Sequence, residues 1–260
     1  MTKAAMIAVM LTAAAPAAAQ DVVSEDVRPA MRTRVMLGPQ IAPRYPGADN
    51  TNILPFINID RSRQPEFPFE APDESGGLNL IRSNGFAIGP ALNFQGSRRR
   101  RDTDGLLPKV GFTVEVGGSV QYTVNPNIRL RAEARRGIGG HKAWVGLLSA
   151  DYVARDADRW LFSLGPRLTL SERKFNRAYF GVSQADSLTS GIAPYDPKGG
   201  IQAVGAAASA LRQLGSRWGV YGYAKYDRLV GDPADSPVVR RFGSRNQLSA
   251  GVALSYTFGG

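Results

Sequence analysis

The chain contains no cysteine among its 260 residues and only one histidine, His141. Without cysteine there can be no disulfide framework, no thiolate metal site and no lipid-modified N-terminal cysteine. A single imidazole also excludes a metal site built from several histidines, and no cofactor is expected. Long apolar stretches are scarce too: the mean hydropathy is −0.20, and no run after the N-terminus reaches the roughly 18 apolar residues of a spanning helix.

The N-terminus has the three-part pattern of a secretory signal peptide. Lys3 gives a short basic head, an apolar run extends from Ala4 to about Ala15, and small residues precede Gln20. We therefore predict a signal peptide at residues 1–19, followed by a single mature domain at 20–260. Export places the protein in the cell envelope.

The formal net charge of +10 indicates acidic partners. Nucleic acid is not expected, because an exported chain rarely meets it and no zinc spacing or aromatic RNA-binding signature occurs. Anionic lipid headgroups and lipopolysaccharide fit the compartment better. The Arg98–Arg101 run could bind their phosphates or could be a solvated turn.

Large and small residues alternate in the C-terminal stretch QLSAGVALSYTFGG. Successive side chains of a strand point to opposite faces. This period of two therefore predicts a strand with large apolar side chains on one face and small or polar side chains on the other. The same period recurs in KVGFTVEVGGSVQY, IRLRAEARR, WLFSLGPRLTL and FAIGPALNF. Turn-forming or Pro- and Gly-rich stretches separate these runs, which is typical of an antiparallel meander.

Three features indicate that the apolar faces of these strands contact lipid and not a packed protein core. The runs are about nine to thirteen residues long, aromatic residues lie near the strand ends, and the chain finishes on an alternating strand with a terminal aromatic. We therefore predict an all-β fold, an antiparallel transmembrane β-barrel in the outer membrane. A soluble β-sandwich is the alternative.

Strand parity predicts the number of strands. Alternating runs begin near residues 31, 53, 77, 86, 110, 128, 142, 160, 200, 218 and 247. A bacterial barrel normally has an even number of strands, so a twelfth is expected at RAYFGVSQA, about 177–185. Ten strands, without the weak 31–39 or 77–83 runs, is the alternative.

Six charged residues on the polar faces are predicted to point into the barrel. They are Glu115, Arg129, Arg131, Glu133, Arg135 and Arg167. Opposite charges in a low-dielectric interior pair rather than stay isolated, so these residues could form a ladder that closes the lumen. A conducting pore is the functional alternative.

An ordered series of segments resembles the MipA/OmpV family of MltA-interacting outer-membrane proteins. The series comprises YPGADN (45–50), GFAIGPALNFQGSRRRRD (85–102), GIGGHKAW (137–144), YFGVSQADSLTSGIAPYDPKGG (179–200), LVGDPADSPVV (229–239) and YTF (256–258). The resemblance implies an outer-membrane barrel without known catalytic residues. Some members of that family act as a scaffold between a murein lytic transglycosylase and a murein synthase, and others are described as osmoregulated proteins or surface-exposed antigens.

Residues of these segments form the candidate site, as structural or partner-contacting positions. They are Gly140, His141, Lys142, Tyr179, Phe180, Gly181, Val182, Ser190, Gly191, Tyr195, Gly199, Gly200, Ser236 and Pro237. We interpret His141 as a structural histidine of a Gly-rich turn, with a catalytic base as the alternative. The hypothesis is a non-enzymatic scaffold protein for murein machinery. The alternatives are a small-solute channel and an outer-membrane lipid or lipopolysaccharide hydrolase.

Overall fold

The computed structural model describes residues 29–77 and 79–259, so the predicted signal peptide lies outside the described residues. The described strands are β1 (Arg32–Pro43), β2 (Thr51–Ser62), β3 (Ile81–Ser83), β4 (Phe86–Gln95), β5 (Thr113–Asn125), β6 (Ile128–Gly139), β7 (Trp144–Asp156), β8 (Trp160–Ser171), β9 (Gly200–Gln213), β10 (Trp218–Leu229) and β11 (Asn246–Phe258). The helices are α1 (Arg173–Phe180), α2 (Gln184–Ser190), α3 (Gly231–Asp235) and α4 (Pro237–Phe242), with a short 3-10 helix at Arg100–Thr103. None of the helices in the described residues is long and apolar enough to cross a membrane.

All eleven strands belong to one antiparallel sheet, which confirms the predicted all-β class. The order runs from β2 through β1 and β11, then descends strand by strand from β10 to β3. Because direction alternates between neighbours, the two outermost strands, β2 and β3, run the same way. No pairing between described residues joins these two edges. The chain must therefore return along the length of the sheet between β2 and β3.

Residues 63–76, which we call the inner segment, make this return inside the curve of the sheet. The guanidinium of Arg34 on β1 lies 4.4 Å from the ring centre of Phe67, and that of Arg129 on β6 lies 4.4 Å from the ring centre of Phe69. β1 and β6 are far apart in the sheet order, so one short segment can touch both only if the sheet curls round it. The eleven strands thus form a barrel-shaped wall.

The wall has apolar side chains outside and charged side chains inside. On β6 the inward residues Arg129, Arg131, Glu133 and Arg135 are buried, while Leu130 on the opposite face is 42% exposed. Strands β4, β10 and β11 repeat the alternation of exposure. A soluble protein buries its apolar face, so this arrangement is inverted and fits lipid as the outer solvent.

Aromatic side chains cluster near the strand ends of the outer wall. At one end the ring centres of Phe86 and Tyr122 lie 4.4 Å apart, and those of Trp218 and Tyr256 lie 4.8 Å apart. Tyrosine and tryptophan favour the membrane–water boundary because an apolar ring carries a polar O–H or N–H group. The clusters therefore mark a boundary of the apolar band.

The two ends of the barrel differ in the length of their connections. One end, the short-turn end, carries the β3–β4, β5–β6, β7–β8 and β9–β10 turns together with the start of β1 and the end of β11. Asn84 and Gly85 form the first of these turns, and both have positive φ, as a two-residue type I′ hairpin requires. The other end, the long-loop end, carries connections at 44–50, 96–112, 140–143, 172–199 and 230–245.

The prediction of a twelfth strand at 177–185 is wrong. These residues include the end of α1 and the start of α2. Phe175, Asn176, Tyr179 and Phe180 are buried, and their spacing of one, three and one follows a helix and not a strand. The described residues have eleven strands rather than twelve or ten, and the additional pass of the chain is the inner segment.

Candidate functional site

The interior of the barrel holds a continuous network of ion pairs. All six residues predicted to face inward are buried there: Glu115, Arg129, Arg131, Glu133, Arg135 and Arg167. Arg131 Nε lies 2.8 Å from Glu133 Oε1, and Arg135 Nε lies 3.0 Å from Glu115 Oε2. Arg135 also pairs with Glu133, which joins these contacts into one chain. These side chains therefore lie on the buried face of their strands.

Asp151 extends the network across β6, β7 and β8. Its Oδ2 lies 2.9 Å from Arg129 Nη2, and its Oδ1 lies 2.8 Å from Arg167 Nη2. Both partners are more than nine-tenths buried, so Asp151 offsets part of the charge of the two arginines away from water. An isolated charge in such surroundings would be very costly, which explains why the charges occur in contact.

The inner segment supplies the remaining acidic partners. Asp73 Oδ2 lies 2.9 Å from Arg167 Nε and 3.1 Å from Lys225 Nζ, so it binds two strands at once. Glu74 pairs with Arg129. Ser75 donates its hydroxyl to Glu133 Oε2 at 2.6 Å. These contacts run through consecutive residues of the inner segment and tie it to the wall.

Sequence reasoning missed the contribution of the inner segment. Its residues form the stretch RQPEFPFEAPDESG, in which three prolines and four acidic residues hide any strand period. Two signals were available. The arginines of β6 and β8 exceeded the inward-facing acids, and the odd number of alternating runs required one more pass of the chain.

His141 occupies a closed position between the interior and the long-loop end. Its side chain has no exposed surface, and its Nε2 lies 3.1 Å from Glu115 Oε1. The Nδ1 atom accepts a hydrogen bond from the Ala143 N–H at 3.2 Å, so Nε2 carries the proton and donates it to the carboxylate. A Cβ at Gly137 would lie 2.4 Å from the ring, so glycine is required there. Both ring nitrogens are therefore used within the protein.

The long loops fold into a cap over the long-loop end. Tyr45, Phe175, Tyr179 and Phe180 form its apolar core, together with Val239 of α4. The rings of Tyr45 and Tyr179 stack at 6.4 Å with an interplanar angle of 13°. Burial raises the pKa of the Tyr45 hydroxyl to about 12 and also raises the pKa of Tyr179. These phenols therefore remain protonated at any physiological pH.

Several of the predicted site residues hold the cap loops in place. Ser236 donates its hydroxyl to the Phe180 carbonyl at 2.6 Å and accepts from the Val238 N–H, which caps α4 with Pro237 in its first turn. Val182 and Tyr195 pair through both backbone N–H groups. The Tyr195 hydroxyl reaches the Asp232 carbonyl at 2.8 Å.

The remaining predicted residues shape turns of the cap. Gly191 ends α2 with a φ of +69°, and Gly200 begins β9 with a φ of +138°. Lys142 has a φ of +48° beside His141. The others are packed against backbone or lie at helix ends: Gly140 against Gly111, Gly181 against Arg177, Gly199 against Arg173, and Ser190 at the end of α2. The structure thus brings the predicted site residues of 140–200 and 236–237 together at the long-loop end of the barrel.

Arg98 joins two cap loops, whereas the rest of the Arg98–Arg101 run lies on the surface. Only 2% of Arg98 is exposed, and it donates to the Tyr179 carbonyl at 2.6 Å and to the Pro108 carbonyl at 3.0 Å. Burial lowers the pKa of its guanidinium. A surface cleft of about 780 Å³ lies beside it, lined also by Lys109 and Asp186.

Within residues 29–77 and 79–259, no group of three or more acidic, histidine or cysteine side chains is placed to hold a metal ion. The site consists of a charged interior filled by the inner segment, together with an apolar cap at one end. With large apolar side chains on the outside of an antiparallel wall, these features define a β-barrel protein of the membrane-spanning class.

The comparison with protein families identifies the group within that class. The family described as MltA-interacting protein MipA matches residues 35–258. The chain belongs to this family, which confirms the resemblance of its motifs.

Curated relatives match a smaller part of the chain. The MltA-interacting proteins of Escherichia coli (strain K12) and Shigella flexneri are each 38% identical over 81 residues, which is 31% of this chain and 32% of the relative. The match therefore spans about a third of the length of those relatives.

Solved structures give weaker likenesses. The NanC porin aligns with a TM-score of 0.37 and 8% identity, over 87% of this chain and 98% of its own. The CymD monoaromatic hydrocarbon channel aligns with a TM-score of 0.38 and 11% identity, over 86% and 87%. Likeness at this level carries no conclusion about function.

Proposed function

We propose that this protein is a non-enzymatic outer-membrane barrel that acts as a docking scaffold for murein-degrading and murein-synthesising enzymes. The name of its relatives, MltA-interacting protein, supports a lytic transglycosylase as one partner. The observation that carries the proposal is the filled interior. Because the inner segment is tied to the wall by Asp73, Glu74 and Ser75, the polar surfaces free to meet a partner are the two ends.

The short-turn end is the better candidate for the docking face. In outer-membrane barrels the short turns and the chain ends lie on the periplasmic side, where murein enzymes work. Exposed arginines surround this end: Arg61, Arg63, Arg82, Arg159, Arg212 and Arg217. We call this group the arginine rim. A basic rim attracts an acidic surface and speeds association with it.

The rim also faces the headgroups of the membrane. Arginines at the end of an apolar band lie at headgroup level, where anionic lipids attract them. We therefore keep outer-membrane lipid as a partner of the wall and rim. Lipopolysaccharide remains a proposed partner of the exposed arginines at 99–101 on the other end.

Binding to purified partners tests the scaffold proposal. The protein in detergent would be immobilised, and a lytic transglycosylase of the MltA type and a murein synthase would be passed over it separately and together. We expect both to bind, with weaker binding to an R159Q/R217Q variant. An R100Q/R101Q variant at the opposite end is the matched control and should bind as the parent does. Absence of binding by either enzyme to the parent protein would refute the scaffold role.

The two alternative functions make distinct predictions. A small-solute channel would conduct in a planar bilayer, with a conductance reduced by neutralising Arg131 or Glu115. The inner segment opposes this alternative because it occupies the interior. A hydrolase based on His141 would lose its activity in a H141A variant. The closed position of that ring opposes it, because a general base must reach its substrate.

A further inference from the structure

A cleft of about 190 Å³ lies at the free edge of β2. Ile57 lines it from the outer face of the strand, and Phe56 and Asp60 line it from the inner face. Pro72 and Ser75 of the inner segment stand on the other side. Consecutive residues of β2 and the facing residues of the inner segment thus line one cleft beside the free edge of the strand.

The edge of β2 is chemically incomplete. All twelve residues of β2 pair with β1, and the described residues give the strand no other backbone hydrogen bond. Polar backbone groups left unpaired at membrane depth are costly, so an edge there needs a partner. Pro55 has no N–H to offer, and prolines in edge strands hinder the addition of a further strand. This edge therefore suits a small polar ligand better than a strand of a second chain.

Two hydrogen-bond acceptors in the lining of the cleft have no donor. Asn58 Oδ1 and Asp60 Oδ1 are buried and have no hydrogen-bond partner. Asp60 is 5% exposed, and its Oδ2 already accepts from Arg34 Nε at 3.1 Å and Nη2 at 2.8 Å. Glu70 and Glu74 add two further carboxylates to the lining, of which Glu74 already pairs with Arg129. A ligand that completes these groups must donate hydrogen bonds and carry a positive charge.

The opposite part of the lining is apolar. Met36, Phe56, Leu161, Leu211 and Tyr221 form it, and they belong to one cluster inside the wall. The cleft volume corresponds to about six water molecules at roughly 30 Å³ each, which accommodates an ammonium group with its first two or three carbons. A whole lipid does not fit, so the rest of such a molecule would remain outside, against Ile53 and Ile57, which are 80% and 61% exposed.

We propose that this cleft binds the primary ammonium headgroup of a membrane amphiphile, of the ethanolamine-lipid type, which enters sideways past the free edge of β2. Its N–H groups would donate to Asn58 Oδ1 and Asp60 Oδ1, and its charge would face Glu70. Glu70 lies beside the Asn58 side chain, and no ion pair found among the described residues includes it. The proposal goes beyond the scaffold role and is independent of it.

Competition between two lipids tests this site. The protein would be placed in nanodiscs with equal amounts of phosphatidylethanolamine and phosphatidylglycerol, released, and examined by native mass spectrometry. We expect phosphatidylethanolamine to be the retained lipid. Retention should fall about tenfold in E70Q and in N58L, as for the loss of one hydrogen bond to a charged group. Soluble hexylammonium should displace the lipid, whereas hexanoate should not.

D49N is the matched control, because Asp49 is an exposed acid at the other end of β2, and it should retain lipid as the parent does. Glu70 and Asn58 line the cleft, and no ion pair found among the described residues includes either of them, so neither substitution breaks an ion pair of the fold. Equal retention of the two lipids, or unchanged retention in both E70Q and N58L, would overturn the proposal. A preference for phosphatidylglycerol would also overturn it, because Arg34 would then be the group that binds the headgroup. A stable dimer paired through β2 would overturn it as well, because a second copy of the chain would then occupy the edge.

Discussion

The interior of the barrel and the cap at its long-loop end are both buried, but different interactions hold them. The interior is joined by charge, through Glu133 and its arginine partners and through Asp73 of the inner segment. The cap is joined by apolar packing of Phe175, Tyr179 and Phe180. The strands of the wall turn their charged side chains inward, so these charges must be paired within the interior. The cap loops lie outside these strands, so they fold by burying apolar side chains.

This difference predicts different responses to substitution. Loss of one ion in the interior leaves its partners charged and buried, so the effect should spread over several strands. Loss of one ring in the cap leaves a cavity, and its effect should stay local. The following predictions test this contrast.

The largest effect is expected from E133A. Removal of this carboxylate leaves Arg131 and Arg135 without a shared partner and deprives Ser75 of its acceptor. Breaking a buried pair in this way costs about 3–5 kcal/mol, and urea unfolding in lipid vesicles would measure it. R159Q at the exposed rim is the control and should change stability little. A loss below about 1 kcal/mol in E133A would mean that the interior is more hydrated than the ion pairs indicate.

A smaller and more local effect is expected from F180A. The ring is fully buried against the cap core, and its loss should cost roughly 3 kcal/mol through the cavity it leaves. Limited proteolysis should then cut within 172–199 while the strands remain resistant. L188A is the control, because Leu188 is 88% exposed. Simultaneous cleavage of strands and cap would show that the two regions unfold as one unit.

A still smaller effect is expected from G191A. Gly191 has a φ of +69° at the end of α2, and a Cβ there meets no atom within 4 Å. The cost is therefore backbone strain alone, about 1 kcal/mol. Hydrogen exchange of α2 would measure it, with G215A as the control, since Gly215 also lies in open space without a positive φ. An unchanged exchange rate in G191A would contradict the left-handed conformation.

The smallest effect is expected from acid on the surface of the cap. Arg177 and Arg173 lower the pKa of the exposed Asp196 carboxyl to about 2. Because the folded pKa is depressed, the pairs contribute above the ordinary carboxyl pKa and are lost as pH falls from about 4 towards 2. Proteolysis of 172–199 should accelerate slightly across that window in the parent. It should be independent of pH there in D196N, and an identical pH response would assign the change to another group.

The sequence predicts the strands of the wall better than it predicts the inner segment and the cap. Alternation in the β6 stretch IRLRAEARR placed Arg129, Arg131, Glu133 and Arg135 on the inward face, because a strand has only two faces and one of them is apolar. The same reasoning located the start of each of the eleven strands to within a few residues. Local periodicity is sufficient to predict the orientation of a side chain in the wall, because that side chain can face only the outside or the interior of the barrel.

Local periodicity fails where the environment depends on distant residues. The inner segment has no period because Asp73, Glu74 and Ser75 are fixed by residues of strands that lie 55 to 152 positions away in the chain. The stretch at 177–185 was predicted to be a strand because an even strand number required one more pass of the chain, whereas this stretch contains the end of α1, which packs against Tyr45. Both errors concern segments whose conformation is set by tertiary contacts.

The most direct test of the account is the conductance of the purified protein in a planar bilayer. The account predicts that the parent protein does not conduct steadily, because the inner segment is tied to Arg167, Lys225 and Arg129. A D73N/E74Q variant, which loosens that segment, should show frequent openings, whereas D49N should resemble the parent. Steady conductance by the parent, unchanged in D73N/E74Q, would contradict an interior closed by ion pairs and would favour the channel alternative.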